Sequence, residues 1–464
     1  MTLPLFTHQA EAIAIANRQA NLALFHDPGL GKTRTVLEIY KMYKQRVPDL
    51  KLLVVCPLSI IDDAWMKNAK QFVPELTICN MRKAKNPERF DILVINYEML
   101  ISAKKLAIIT ALVQAHPFAI TLDESSRLKN PNAKTTKVLL SLRDDFLARL
   151  LMSGTPAPNG EHEYWGQMCF LEDGVIPGDF QEFRNRFFYL SRGSGESEQK
   201  SSVGHRPGLM MQEGWKIKIT NEKREKLASQ MSPWVHRVDK ALALPDLPPK
   251  VEQDRRIKLT ADERNVYYNM KKHLLVEVND VIITAPQMLT KLMKLRQQTS
   301  GFIYDQTSEA HWYGNSKIRE LEAVLEELGD QQVIIWCEFK EEIEKLKEVV
   351  KGSSVTMYSQ TESKADSLEQ FQSGKAQYLL AHPKSAAHGL TFNNCSAMVY
   401  FNNSWSFENN QQTQDRNHRI GQEAEFCLYI YLVVEDTIDT ELIYPALRDK
   451  AGVSEDMLRR FLGR

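Results

Sequence analysis

The chain has 464 residues, 43% of them hydrophobic and 25% charged, which is more than one hydrophobic core usually serves and too apolar for a disordered chain, so two or three folded domains are expected. Its 59 basic and 59 acidic side chains cancel, which excludes a global positive field and makes any contact with a polyanion local. Six cysteines (Cys56, Cys79, Cys169, Cys337, Cys395, Cys427) occur without a CxxC pair and read as reduced core residues rather than metal ligands. The start, MTLPLFTHQAEA, lacks the charged and apolar regions of a signal peptide, and no apolar run approaches the roughly 20 residues that cross a bilayer, so an intracellular protein is expected.

Short apolar runs alternate with amphipathic stretches, the rhythm of parallel strands joined by crossover helices. LALF (22–25), LLVVC (52–56), ILVI (92–95), FAITL (118–122) and RLLM (149–152) predict five strands of one α/β sheet. Residues 160–315 lose this rhythm and become aromatic, basic and loop-rich, with SRGSGESEQKSS (191–202) and the proline cluster LPDLPPK (244–250), and read as insertions plus a linker. In QEFRNRFFYLSRG (181–193) the basic and aromatic side chains suit stacking on bases, but helix packing is the reading preferred for Phe183, Phe187 and Phe188; the loop near 191–215 is a candidate hairpin. A second set begins after Asn315, where Ile318, Leu321, Leu325 and Leu328 recur at helical spacing before VIIWC (333–337), YLLA (378–381), MVYF (398–401) and YIYLV (429–433). These predict a second sheet of the same kind.

Strand LALF runs into HDPGLGKT (26–33) and then an apolar-periodic helix, so the loop Pro28, Gly29, Leu30, Gly31 opens a helix where free amides can hold phosphate oxygens. Lys32 would neutralise the β and γ phosphates of a bound nucleotide, and Thr33 would offer its hydroxyl to Mg²⁺. His26 stands where a GxxxxGK[ST] loop has its first glycine. Strand FAITL delivers Asp123 and Glu124 at its C-terminal edge, where an open α/β sheet puts its ligand chemistry. There Asp123 can orient the metal through water and Glu124 can act as general base.

At DESSRLKN (123–130) the sequence resembles the DES-H-x-LKN box of the Swi/Snf-type branch of superfamily 2 helicases. Further blocks follow in the family's order. LFTHQAEAI carries Gln9 where the family reads adenine; VVCPLSIIDDAW (54–65) resembles the motif that lays Ser59 along a DNA strand; VINYEML (94–100) resembles the next; SGTPAPN (153–159), with Ser153 and Thr155, resembles the coupling loop. LPPK (247–250), LRQQTSG (295–301) and SWSFENNQQTQDRNHRIGQ (404–422) continue the likeness, the last being its most specific string. Two departures stand out: Ser126 replaces the histidine of the acidic box, and SAAHGLTF (385–392) is closer to annealing helicases and small bacteriophage helicase-like proteins than to most chromatin remodellers.

The resemblance implies an α/β fold of two tandem RecA-like domains with helical and loop insertions between them. The expected boundaries are a first domain over 1–159, an insertion and linker completing it over 160–257, a helical insertion of the second lobe over 258–315, a second domain over 316–440, and a helical tail over 441–464. ATP and Mg²⁺ are then expected between the two domains, with Arg416 and Arg419 aimed at the γ-phosphate from one face of a helix. Gln412 and Asp415 would connect that helix to nucleotide. Gly389 would let backbone pass close to the site, and Ser59, Tyr97, Lys129 and Lys384 are the candidate DNA contacts.

The implied activity is a DNA-dependent ATPase that translocates on duplex DNA and remodels forked or branched DNA by unwinding, annealing or branch migration in replication, recombination or repair, in the cytoplasm of a bacterium or a phage-infected bacterial host. The alternative is an ATPase that tracks along DNA to displace a bound protein without unwinding. A catalytically silent DNA-binding module is the third reading, and intact Lys32, Asp123, Glu124, Arg416 and Arg419 argue against it.

Overall fold

Strand Lys51–Cys56 shows why the apolar runs become central strands: Leu53 and Val55 pack into one buried cluster and Leu52, Val54 and Cys56 into another, so both faces of the sheet are covered and no polar alternation survives. The computed structural model describes residues 4–158, 160–176, 178–192, 199–202, 215–279, 285–305, 307, 309–386, 390–403 and 407–448. The chain divides after Pro245 into two compact units.

The first unit carries strands β1 (Leu22–His26), β2 (Lys51–Cys56), β3 (Ile78–Asn80), β4 (Ile92–Asn96), β5 (Phe118–Asp123) and β6 (Ala148–Met152), then an antiparallel trio β7 (Phe188–Arg192), β8 (Gln199–Ser202) and β9 (Trp215–Ile219), then β10 (Val235–Val238). Seven of these form one parallel sheet in the order β10-β1-β6-β5-β2-β4-β3, and β7 sits between β8 and β9 in a small sheet of its own. Sequence periodicity marked five of the seven. The two it passed over are the edge strands, β3 with three residues and β10 with a half-exposed Val-His-Arg-Val, which need only one neighbour and so carry no apolar run. Phe183, Phe187 and Phe188 are buried against one another with ring centroids 5.3–5.4 Å apart, the packing role expected of them.

The second unit has β11 (Lys250–Ile257), β12 (Phe302–Tyr304), β13 (Ala310–Trp312), β14 (Val333–Trp336), β15 (Ser354–Met357), β16 (Tyr378–Ala381), β17 (Ala397–Tyr400) and β18 (Cys427–Val434). Six form a parallel sheet, β11-β18-β17-β14-β16-β15, while β12 and β13 make a hairpin. β11 corrects the expected boundary. All eight of its residues pair in parallel register with β18, so residues 246–257, grouped with the first lobe from sequence, belong to the second unit. Its polar Lys-Val-Glu-Gln-Asp-Arg-Arg stretch hid an edge strand. The helical insertion holds helices Ala261–Asn279 and Ala285–Thr299 besides the hairpin. Helix Ser316–Leu328 buries Ile318, Leu321 and Leu325 and is pinned by an ion pair, Lys317 to Asp439 at 3.1 Å, in which both side chains are almost wholly enclosed.

Cys56, Cys79, Cys337, Cys395 and Cys427 are buried, Cys169 is partly so, and all six are free thiols. Among the described residues, no helix is long and apolar enough to cross a membrane.

Candidate nucleotide site and nucleic-acid surface

Because every strand of the first sheet runs in the same direction, the loops after β1, β2, β4, β5 and β6 all leave from one edge, and the sequence puts its polar motifs in those loops. After β1 the chain turns through Gly29 (φ +88°) and Gly31 (φ +71°), left-handed conformations that admit glycine without strain. Helix Lys32–Arg46 starts directly afterwards. It buries Val36, Ile39, Tyr40 and Tyr43 at helical spacing and carries Lys44 and Arg46 in its last turn, where positive charge suits the carbonyl end.

Helix Thr7–Ala16 braces this loop from outside. His8 Nε2 donates to the Leu30 carbonyl at 2.9 Å, Gln9 Nε2 donates to the Gly31 carbonyl at 3.3 Å, and Gln9 Oε1 accepts from the Phe6 amide at 3.1 Å. The contact with Gly31 is tight: a methyl group there would stand 2.6 Å from Gln9 Nε2. Lys32 folds back, its ammonium donating to the carbonyls of His26 (2.7 Å) and Asp27 (3.3 Å), and Thr33 is half-buried on the first turn of the helix.

His26, in the first-glycine position, is wholly buried and its Nε2 lies 2.9 Å from Nδ1 of His236 on β10. Burial, then the neighbouring His236, Lys32 and His8, push its pKa down to about 2; burial lowers that of His236 too. Among the described residues, Nδ1 of His26 has no hydrogen-bond partner.

β5 ends in Asp123, whose carboxylate accepts from the Trp65 indole at 2.9 Å and from the Glu124 amide at 3.1 Å. Burial and the adjacent Glu124 raise its pKa to about 7. Both hydrogen-bond donors are neutral, so a divalent cation would supply the positive charge this enclosed carboxylate calls for, and Asp123 with the Thr33 hydroxyl is an oxygen donor set that suits Mg²⁺. Glu124 takes a left-handed conformation at φ +56°, uncommon outside glycine, and the turn that follows is fixed by Arg127 N donating to Glu124 O at 3.1 Å.

Tyr97 differs from its expected role. It is 2% exposed, and its hydroxyl donates to the Asp123 carbonyl at 2.9 Å, so it buttresses the acidic turn instead of reaching a DNA phosphate. The apolar neighbours in VINYEML carry it into the core. Ser59, on the turn after β2, and Lys129, at the end of the acidic box, are both exposed on this edge, and Lys384 is exposed on the second unit.

After β6, the Ser153 amide donates to the Leu24 carbonyl at 3.3 Å and its hydroxyl accepts from Thr155 N at 3.2 Å. Gly154 lies against Pro28; a methyl group on it would come within 2.7 Å of the proline ring, so this loop and the phosphate loop touch.

In the second unit helix Phe407–Gln414 ends before the arginine pair, which corrects the shared helical face expected from their spacing. Arg416 and Arg419 stand in the turns that follow and converge on one backbone oxygen: Nη1 of Arg416 lies 3.4 Å and Nη1 of Arg419 lies 3.3 Å from the Leu390 carbonyl, and Arg419 also donates to the Thr391 hydroxyl at 2.7 Å. Burial lowers the pKa of Arg419. Arg416 Nε donates to the Gln412 carbonyl at 3.1 Å, and Asp415 is buried. Gly389 and residues 193–198 and 203–214 of the candidate hairpin near 191–215 lie outside the described residues, as do 449–464 of the expected tail.

Trp65, Gln167, His8 and His236 carry contacts at this edge that sequence reading did not assign. Trp65 stood inside a quoted motif, but its tie to Asp123 spans 58 residues.

Comparison with known proteins finds two family domains, the first of which runs past Pro245 into the second unit. Residues 9–301 match the SNF2-related domain and residues 316–421 the helicase conserved C-terminal domain. The p41 protein of Acyrthosiphon pisum secondary endosymbiont phage 1 is 25% identical over 93% of this chain and 92% of its own length. A protein of Mycoplasma pneumoniae named as an ATP-dependent helicase is 23% identical over 94% of this chain, which spans 40% of that protein. The Sulfolobus solfataricus SWI2/SNF2 ATPase core solved with double-stranded DNA is similar over 95% of this chain and 90% of its own, at 20% identity and a TM-score of 0.46. With the SNF2-related domain alone matching well over half of its length, the chain belongs to the SNF2 family of helicase-type ATPases.

Proposed function

We propose that this chain is a DNA-dependent ATPase that translocates on duplex DNA and acts on forked or branched substrates in replication, recombination or repair. The observation that carries the reading is the gathering on one sheet edge of the phosphate loop, the Asp123–Glu124 turn and the 153–158 loop, with Ser59 and Lys129 exposed beside them.

In this reading the amides after Gly29 and the Lys32 ammonium bind the β and γ phosphates, and Gln9, braced on the Gly31 carbonyl, reads the base. Mg²⁺ held through Thr33 and Asp123 would shield phosphate charge. Glu124, held in its left-handed turn, orients and deprotonates the attacking water. Arg416 and Arg419 stabilise the charge that develops on the transferring phosphoryl group, a role that contributes about 10³–10⁵ in rate in related chemistries. Gln412 and Asp415 support the pair, and Ser153, Thr155 and Gly389 serve coupling. The DNA contacts are phosphate-directed and independent of sequence, through Ser59, Lys129 and Lys384.

The test is the ATPase rate measured side by side with no nucleic acid, single-stranded DNA, duplex, a labelled fork and RNA. Stimulation by duplex or fork together with release of a labelled strand supports the full reading. Stimulation with no product strand on any fork moves the activity to tracking without unwinding. An equal rate in every arm refutes DNA dependence.

A further inference from the structure

Gln167, on helix Tyr164–Leu171, is fully buried where a leucine would fill the same space, yet both polar atoms of its amide are hydrogen-bonded. Oε1 accepts from the Ser125 hydroxyl at 2.7 Å; Nε2 donates to the Pro156 carbonyl at 2.6 Å and the Glu163 carbonyl at 3.3 Å. The orientation is forced, because turning the amide over would set its oxygen against two carbonyl oxygens that can only accept. A buried amide persists only when satisfied in this way.

Its two ends reach different parts of the nucleotide site. Ser125 follows Glu124 directly, and Pro156 belongs to the loop whose Gly154 lies against Pro28 of the phosphate loop. The helix between them is seated without slack: a methyl group at Gly166 would stand 2.3 Å from the Leu128 carbonyl, inside the same acidic box. A shift of the Glu124 turn therefore pulls on the 153–158 loop through one amide, and the reverse.

We infer that Gln167 is a positioning residue that couples the Asp123–Glu124 turn to the 153–158 loop, so that DNA engagement and water activation are set together. The inference rests on the ATPase reading above. It acts through Ser125 and Pro156, not by touching nucleotide.

Steady-state kcat and KM for ATP, measured with and without saturating duplex, test it in Gln167→Leu, Ser125→Ala and the double variant of the full chain. Losing this link should lower the duplex-stimulated kcat about tenfold in each single variant, with KM and the unstimulated rate within about twofold of wild type. The double variant should be no slower than the slower single one, because both remove one link. Ser125→Ala deletes a single hydroxyl and carries the expectation if Gln167→Leu folds poorly. A stimulated rate unchanged in both singles, equal loss of stimulated and unstimulated rates, or losses that multiply in the double variant each overturn the coupling role. A wild-type rate indifferent to duplex overturns the DNA dependence on which the inference rests.

Discussion

His26 gives the site a built-in sensitivity to acid. Its imidazole is wholly buried, hydrogen-bonded to His236, and kept neutral down to about pH 2, whereas in the unfolded chain it takes up a proton near its ordinary value of 6.5. Below pH 6.5 the unfolded state therefore binds the extra proton, and stability falls as pH drops, by about 1.4 kcal/mol for each unit. At pH 5 this single group costs about 2 kcal/mol relative to neutral pH, a loss that continues toward the folded pKa. His26→Gln removes the titration while keeping an amide that can bond to His236. Urea unfolding of the full chain at pH 7.5 and pH 5, followed through the transition of the first unit, should show wild type losing about 2 kcal/mol more than the variant between the two pH values. Equal losses, or a larger loss in the variant, would refute the argument that burial holds this imidazole neutral.

Arg416→Lys and Arg419→Lys should each lower kcat about 10³-fold with KM for ATP changed only a few-fold, since lysine keeps charge but not the planar fork; a drop under tenfold in steady-state assays removes them from the hydrolysis step. Gly31→Ala forces a side chain into φ +71° and to 2.6 Å from Gln9 Nε2, so KM for ATP should rise about tenfold. An unchanged KM would mean that Gln9 does not position the loop. Lys129→Ala should reduce the slope of log affinity against log salt by about one in anisotropy titrations with duplex DNA, leaving the unstimulated ATPase rate intact. The same slope in variant and wild type would take Lys129 out of the DNA surface.

The central strands were legible because both their faces are buried, which leaves uninterrupted apolar runs such as LLVVC and VIIWC. Edge strands were not. β10 and β11 pair on one side only, so their sequences, Val-His-Arg-Val and Lys-Val-Glu-Gln-Asp-Arg-Arg-Ile, look like linker until a partner strand is in place. The boundary between the units moved for that reason. The arginine pair shows a related limit. Spacing of three suits a helical face, but the helix stops at Gln414 and Gly421 follows at φ +90°, so turns rather than a helix bring both guanidiniums to the Leu390 carbonyl.

Local strings marked the groups proposed to touch phosphate, because a phosphate loop and an acidic strand end are each built from consecutive residues. What holds those groups in place is distant in sequence. Trp65 reaches Asp123 across 58 residues, Gln167 reaches Ser125 across 42, and His236 reaches His26 across 210. Tyr97 shows the difference most clearly: a motif position that suggested a DNA contact turned inward, where its hydroxyl holds the Asp123 carbonyl and its ring lies 5.2 Å beneath the Arg127 guanidinium. The side chains that meet ATP or DNA must sit at loop tips, free to engage. Those that fix their angles must be buried and satisfied by partners on other strands, so their identity is written in the packing of the sheet edge and not in any one motif.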